Sequence, residues 1–304
     1  MEQDFAERLP EFPEYAAARS RALTRPPRAI ATESALIGGL VLDALSAPFW
    51  LVLLLLGKAR LASAARPLRR VVSFLVSARM TAALVVANAA VFAWQVALLA
   101  RGLPADELRR LFALAPSDLA RGNYPPLFLH AFAHAGVAHL CGNMFALFVF
   151  GRVVERHLGP WRMLAAYLGS AAVSTVISLG ATVAAGQDTA SLGASGAVAG
   201  MIALGILFEP FTLTYEALLP MPLFILGWVA AAGDVSGILS GRQDGIDHAA
   251  HLGGYLSVLV LYFGLSAPLR RRAKVGLLLN LATALVAALV WILWLGPALA
   301  VQAR

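Results

Sequence analysis

Charge is scarce in this chain, and cysteine is almost absent. Only 13% of the 304 residues are charged, while 60% are hydrophobic. Soluble domains run near about 25% charged and about 45–50% apolar. The shortage excludes an ordinary soluble domain and places most of the sequence in a bilayer. The single cysteine, Cys141, excludes an internal disulfide. Its setting within an apolar stretch points to packing rather than redox chemistry. No short apolar core follows a basic start, so no cleaved signal peptide is expected. Neither an internal repeat nor matched interrupted spans are present, which argues against a transporter. The net charge of +7 would suggest nucleic acid in a soluble protein. Here the arginines stand in short loops beside apolar runs, as the positive-inside rule describes, and no nucleic-acid partner is expected.

What is abundant is long apolar sequence. Clear spans are expected at about 80–100, 137–153, 161–185, 192–208, 219–237, 248–266 and 275–297. The fold expected is all-α: a polytopic transmembrane helical bundle. Three basic clusters fix its orientation: residues 58–79; Arg152, Arg156 and Arg162; and Arg270, Arg271, Arg272 and Lys274. An even number of spans separates each from the next, so all three fall on one side, the cytoplasmic one. The polar residues 1–34 read as a cytoplasmic tail. Residues 35–57 are apolar but hold Asp43 and Pro48, with basic residues at both ends, which favours an interfacial placement over a crossing. The expected organisation is a basic and polar region 1–79, a core 80–266, and an added span and tail 267–304.

This orientation brings four polar groups to one depth near the outer face. His139 and Asn143 open the second span, Ser195 opens the fourth, and His251 lies four residues past Asp247 at the start of the sixth. Ionisable groups in spans are costly and mark functional sites. A hydroxyl, an imidazole and a pair of hydrogen-bond donors are the parts of an acyl-transfer site. Each part also has a plainer reading. Gly196 and Gly200 have the small-xxx-small spacing of close helix packing, and a serine there can bond back to its own helix. His139 and Asn143, at i and i+4, share a face and would serve as an interhelical clamp. His251 is the candidate base. His248, three residues earlier and nearer the loop, is the alternative and is expected to be solvated. No carboxylate is evident that would orient His251, so the expected unit is a dyad.

Other chemistries fit less well. His130 and His134 have the spacing of a zinc pair, but Ala131 and Phe132 stand where a zincin carries glutamate. Gly233-Asp234 has the look of an intramembrane aspartyl motif, but no second intramembrane aspartate is well placed. No metal or organic cofactor is expected.

Four segments together resemble the rhomboid family of intramembrane serine proteases, over residues 80 to 266. The run His134-Ala135-Gly136-Val137-Ala138-His139-Leu140-Cys141-Gly142-Asn143-Met144 is similar to that family's second-span motif. Gly151, Glu155 and Gly159 are similar to the motif closing that span. Gly193-Ala194-Ser195-Gly196 resembles the nucleophile segment, and Ala250-His251-Leu252-Gly253-Gly254 the histidine segment. The resemblance implies a rhomboid-like six-helix core plus a seventh C-terminal span. It implies a Ser195–His251 dyad, with His139 and Asn143 stabilising an oxyanion. It also implies a multi-pass protein of the cell membrane whose site faces the extracytoplasmic side, with transmembrane protein substrates and membrane lipid as partners. The rival reading is a non-catalytic relative that binds transmembrane segments for quality control. Asn123-Tyr124-Pro125-Pro126 stands where many members carry a Trp-Arg pair. Pro220, Pro222 and Gly227 are expected to make the fifth span irregular, with lateral access between it and the second.

Overall fold

The structure is a computed structural model that describes residues 77–216, 219–242 and 244–290, with a few positions between 46 and 57. Residues 1–71 form a separate unit from 72–304. The expected tail at 1–34, most of the segment 35–57, the basic stretch 58–76 and the end of the seventh span lie outside the described residues.

Seven principal helices build the second unit: α1 (Arg79–Ala100), α5 (Val137–Leu158), α6 (Pro160–Ala184), α7 (Ser195–Phe208), α8 (Leu223–Ser240), α9 (His248–Gly264) and α10 (Ala267–Val290). Between α1 and α5 run three short helices, α2 (Ala105–Phe112), α3 (Pro116–Ala120) and α4 (Pro125–Leu129), and a 3₁₀ turn at His130–Phe132. Five of the seven helices are long and apolar enough to cross a membrane. The other two, α7 and α9, have 14 and 17 residues. A bundle with apolar side chains such as Val86, Val176, Val229, Phe263 and Leu278 on its outside is what a hydrocarbon solvent demands.

The chain departs from the expected spans after α7. An antiparallel hairpin, β1 (Leu213–Glu216) paired with β2 (Leu219–Pro222), precedes α8. Pro220 and Pro222 therefore lie in an extended strand, not in the fifth span, because proline suits a short two-stranded edge and not a helix interior. Gly227 is also no irregularity. A methyl there would stand 2.7 Å from Ile206 Cγ2, so the glycine lets α8 lie close on α7.

Helix α7 is the axis of the bundle. Eleven of its 14 residues are buried. A 14-residue helix is about 21 Å long, short of the roughly 30 Å hydrocarbon core. It can remain in the membrane because its neighbours enclose it. Small residues make that enclosure tight. A methyl on Gly200 would meet Ser170 Oγ at 2.1 Å, and one on Gly196 would meet Ser174 Oγ at 1.8 Å, both from α6. A methyl on Gly254 of α9 would stand 2.0 Å from the Gly196 carbonyl oxygen. Ser174 donates to the Ala250 carbonyl at 2.8 Å, and the Ser170 and Ser257 hydroxyls pair at 2.8 Å. The small-residue reading of this segment is therefore correct, and it coexists with any chemical role of Ser195.

The motif Gly151, Glu155, Gly159 has a clear structural cause. Glu155 accepts hydrogen bonds from the Met80 and Thr81 backbone N–H groups and from the Thr81 hydroxyl, at 2.8–2.9 Å. It thereby caps the start of α1, whose first N–H groups have no partner within the helix. Gly151 leaves room for Thr81, and Gly159 ends α5 at φ +76°.

Glu209, just past α7, gathers the basic residues at the same end of the bundle. His157 Nε2 lies 2.8 Å from its Oε1, the Thr212 hydroxyl donates to it at 2.7 Å, and Arg156 and Arg272 approach within 3.4 Å. Arg156 and Arg272, from two of the basic clusters that the charge pattern assigns to one side, thus meet at one carboxylate, and Ser195 stands at the other end of α7. The seventh helix is keyed into this bundle. Asn280 donates to the Ile206 carbonyl at 2.9 Å and accepts from Trp228 Nε1 at 3.1 Å.

Two outcomes test this packing. Gly254→Ala should lower the thermal midpoint sharply, by the roughly 1–3 kcal/mol of overpacking or more. Gly180→Ala, where a methyl meets nothing within 4 Å, should leave it unchanged. The second concerns Glu209. Burial alone would raise its pKa, but the hydrogen bonds from His157 and Thr212 and the Arg156 charge bring it down to about 2. A lowered carboxylate pKa contributes stability that is present above the unfolded value near 4.5 and is lost as pH falls toward 2. Glu209→Gln should flatten the dependence of thermal midpoint on pH across that window.

Candidate functional site

Ser195 is the first residue of α7, and the turn before it is strained in a way only glycine tolerates. Gly193 sits at φ +138°, and its N–H donates to the His130 carbonyl at 2.8 Å. A methyl on Gly193 would stand 2.9 Å from His139 Cε1, 3.2 Å from His139 Nε2 and 3.4 Å from Ser195 Oγ. The bare glycine therefore lets the His139 ring and the Ser195 hydroxyl face the same small volume. The Ser195 N–H also points out of the helix start, where it has no partner within the helix and where the helix dipole favours negative charge.

His139 and Asn143 lie on α5, as their spacing implies. The Ala135 N–H approaches His139 Nδ1 at 3.5 Å. Accepting there leaves the ring proton on Nε2, the atom beside Gly193. Asn143 is buried, and its side-chain Nδ2 has no hydrogen-bond partner. Two donors from one helix face are thus free at this level.

His251 enters from α9. Asp247 starts that helix by accepting from the Ala250 N–H at 2.8 Å, and Ser178 of α6 donates to its other oxygen. The backbone contact of α9 with α7 at Gly254 and Gly196 sets the separation of the two helices, next to His251 and Ser195 in their respective chains.

Here the structure corrects the expectation that no carboxylate orients His251. Asp234 of α8 does so: its Oδ1 lies 2.8 Å from His251 Nδ1. The same oxygen lies 2.8 Å from His248 Nδ1, and Oδ2 accepts from the Tyr255 hydroxyl at 2.9 Å. His248 is likewise not solvated. It is buried against α8, where a methyl on Gly237 would stand 2.2 Å from its Nε2. Asp234 is visible in the sequence, but there it stands out only as half of an aspartyl pair that lacks its partner. The signal that could have found it is one acid within a span, lying one span before two histidines.

Hydrogen bonding of His251 Nδ1–H to a carboxylate leaves a lone pair on Nε2, the state of an imidazole that can take a proton. The set can therefore hold a hydroxyl, a base of fixed tautomer, and donors for a developing oxyanion. Behind Ser195 lies a cavity of about 20 Å³, lined among others by His130, Ser174, Thr175, Ser178 and Ser191. That is room for a water molecule with polar partners.

His130 and His134 are held by separate partners. His130 bonds to the Pro126 carbonyl at 2.7 Å and the Thr175 hydroxyl at 2.9 Å. His134 Nδ1 faces the Phe132 carbonyl at 3.1 Å, and burial, together with the neighbouring His139, lowers its pKa to about 4. The outer loop packs without a Trp-Arg pair. Asn123 donates to the Arg110 carbonyl at 2.9 Å and to Asp118 at 3.1 Å, and Leu114 and Ser191 form a backbone bridge with both bonds at 2.9 Å. That bridge ties the loop to the segment leading into Ser195.

Residues 121–268 match the Rhomboid domain family. The chain is 32% identical over 187 residues to RHOMBOID-like protein 12, mitochondrial, of Arabidopsis thaliana, covering 56% of this chain and 54% of that one. It is 32% identical over 182 residues to the Presenilin-associated rhomboid-like protein, mitochondrial, of Bos taurus, covering 59% and 46%. With Presenilin-associated rhomboid-like protein A, mitochondrial, of Danio rerio, identity is 35% over 134 residues, covering 43% and 35%. The chain spans about half the length, or less, of these curated relatives.

Proposed function

The chain belongs to the rhomboid family, and on that premise we propose that it is an intramembrane serine endopeptidase cutting single-span membrane proteins. The observation that carries this reading is the 2.8 Å contact between His251 Nδ1 and Asp234, at the level where Ser195 opens α7. A structural histidine needs a partner, but not one that fixes its tautomer and leaves Nε2 free to accept a proton.

In this mechanism Ser195 Oγ attacks the scissile carbonyl carbon while His251 Nε2 takes its proton. The carbonyl oxygen becomes an oxyanion that accepts from Asn143 Nδ2, His139 Nε2–H and the Ser195 N–H. Collapse breaks the C–N bond, and His251 gives its proton to the leaving amine. Water from the cavity behind Ser195 then attacks the ester. His251 again takes and returns one proton, releasing the new carboxyl end and restoring the serine. Asp234 holds the tautomer and remains ionised throughout. The proposed unit is thus Ser195 and His251 with Asp234 as a positioning residue, in place of the bare dyad.

The protein is a multi-pass membrane protein. We place its site toward the side opposite the basic loops, the extracytoplasmic side if the positive-inside rule governs this chain. The names of the relatives place those proteins in mitochondria. A substrate helix must unwind to expose a carbonyl to Ser195, since a peptide bond within a regular helix is shielded. The substrates that fit carry small residues at the cut and helix-weakening residues just inward.

Ser195→Ala should abolish both cleavage of a transmembrane test substrate and labelling by a fluorophosphonate, with an unchanged thermal midpoint. Persistent cleavage by the purified variant would refute the nucleophile. Asn143→Ala should lower kcat by roughly 10²–10³ with little change in KM. Asp234→Asn keeps the volume but offers His251 the wrong hydrogen-bonding partner, and kcat should fall by up to about 10⁴. An unchanged kcat in Asp234→Asn would return the unit to a dyad.

A further inference from the structure

We propose that Asp234, His248 and His251 form a binding site for a divalent transition metal of the zinc class, and that metal bound there switches the protein off. The inhibitory half of the proposal rests on the protease reading, while the binding half does not. Asp234, His248 and His251 each offer one ligand atom within 4.8 Å of the others, and the Nδ1 atoms of both rings, each 2.8 Å from Asp234 Oδ1, are the nitrogens that face the carboxylate. Two imidazole nitrogens and one carboxylate oxygen are the donor set of a three-ligand zinc site with its fourth position open. Around a tetrahedral ion with bonds of about 2.0–2.2 Å, neighbouring donors stand about 3.3 Å apart. The two Asp234 contacts are 2.8 Å, so the carboxylate and rings need to part by about half an ångström.

Three further features separate this cluster from a chance gathering. It is built: Asp234 and His248 are both more than nine-tenths buried, and they come from two helices packed together. It has the supporting bonds of a metal site. A metal-ligating histidine almost always donates its other ring N–H to a carboxylate or carbonyl, and ligating carboxylates are themselves hydrogen-bonded. His248 Nε2 lies 3.4 Å from Asp244 Oδ1, and the Tyr255 hydroxyl holds the second oxygen of Asp234. Finally, one atom is mismatched to its neighbour in the metal-free tautomer, since a lone pair on His248 Nε2 stands 3.4 Å from an Asp244 carboxylate oxygen. With His248 Nδ1–H donating to Asp234, its Nε2 carries only a lone pair. That atom is buried and has no hydrogen-bond partner. When a metal takes Nδ1, the proton moves to Nε2 and finds Asp244.

The same proton movement accounts for inhibition. In the metal-free state His251 carries its proton on Nδ1 and keeps a lone pair on Nε2. A metal on Nδ1 leaves the neutral ring's one proton on Nε2. Nε2 then donates and cannot accept, so the Ser195 proton has no destination. No proton is gained or lost by either neutral ring, and no redox step is involved. His251, only partly buried, is the member that an ion meets first.

The full chain in detergent tests both halves. Titration with Co²⁺ should give the intense visible bands of four-coordinate cobalt, saturating at one ion per chain and displaced by Zn²⁺. His248→Gln should weaken this binding at least tenfold. Asp244→Asn, on an exposed loop, should weaken it several-fold without disturbing the buried core. In parallel, Zn²⁺ should suppress fluorophosphonate labelling of Ser195 in the unaltered chain and a chelator should restore it. In His248→Gln the Zn²⁺ concentration for half suppression, measured against that variant's own metal-free rate, should rise at least tenfold. Equal Co²⁺ affinity in the unaltered chain, His248→Gln and Asp244→Asn would overturn the site. One-to-one binding that left labelling untouched would overturn the switch. A chain that never labels but gives the cobalt spectrum would instead refute the protease reading and keep the metal site.

Discussion

The contact on which this structure depends is between two backbones, α7 against α9 at Gly196 and Gly254. A methyl on Gly254 would come within 2.0 Å of the Gly196 carbonyl oxygen, so only glycine at position 254 lets the helices approach this far. Lipid tails are as apolar as the side chains facing them, so close van der Waals fit, not burial from water, holds such helices together. Fit of this kind leaves no slack. The separation of Ser195 from His251 follows from it, because each stands within a turn of the contact. Ser170 and Ser174 of α6, with Ser257 of α9, complete the same seam, and a polar atom in a span there serves packing and satisfaction together.

Burial of a carboxylate is the second constraint. Asp234 is an acid within an apolar helix, and such a charge must be surrounded by donors. Three are supplied, all from α9: the His248 ring, the His251 ring and the Tyr255 hydroxyl. The site is in this sense a by-product of making an intramembrane aspartate tolerable. Glu155 and Glu209 solve the same problem differently. One caps α1 and the other collects arginines and a histidine.

Much of this was legible in the sequence, for physical reasons that differ by element. The spans were legible because a bilayer demands long apolar runs, and α1, α5 and α6 begin and end within a few residues of expectation apart from the last turn of α5. The gathering of arginines at one end was legible because they stand beside the same ends of the spans, and Arg156 and Arg272 meet at Glu209. His139, Asn143, Ser195 and His251 could be singled out because polar groups in spans are rare. The role of Asp234 was not legible, since pairing across α8 and α9 depends on helix rotation, which spacing along one chain does not encode. The hairpin before α8 was missed for a related reason. Its prolines were assigned to an apolar span, although proline suits an extended edge better.

Asp234 and the seventh helix together give α8 a double attachment. Trp228 ties one half of it to Asn280, and Asp234 ties the other half to α9. An outward swing of α8 that admitted a wide guest from the lipid would carry the carboxylate away from His251. The imidazole would then lose the partner that fixes its tautomer while the bundle stood open. On the protease reading proposed above, admission and chemistry would exclude each other in time. A passing helix that opened the bundle without settling into it would meet an unready base, and only a guest that unwound enough for α8 to return would be cut. Selectivity of that kind would need no side-chain recognition, only the attachment of one acid to one imidazole.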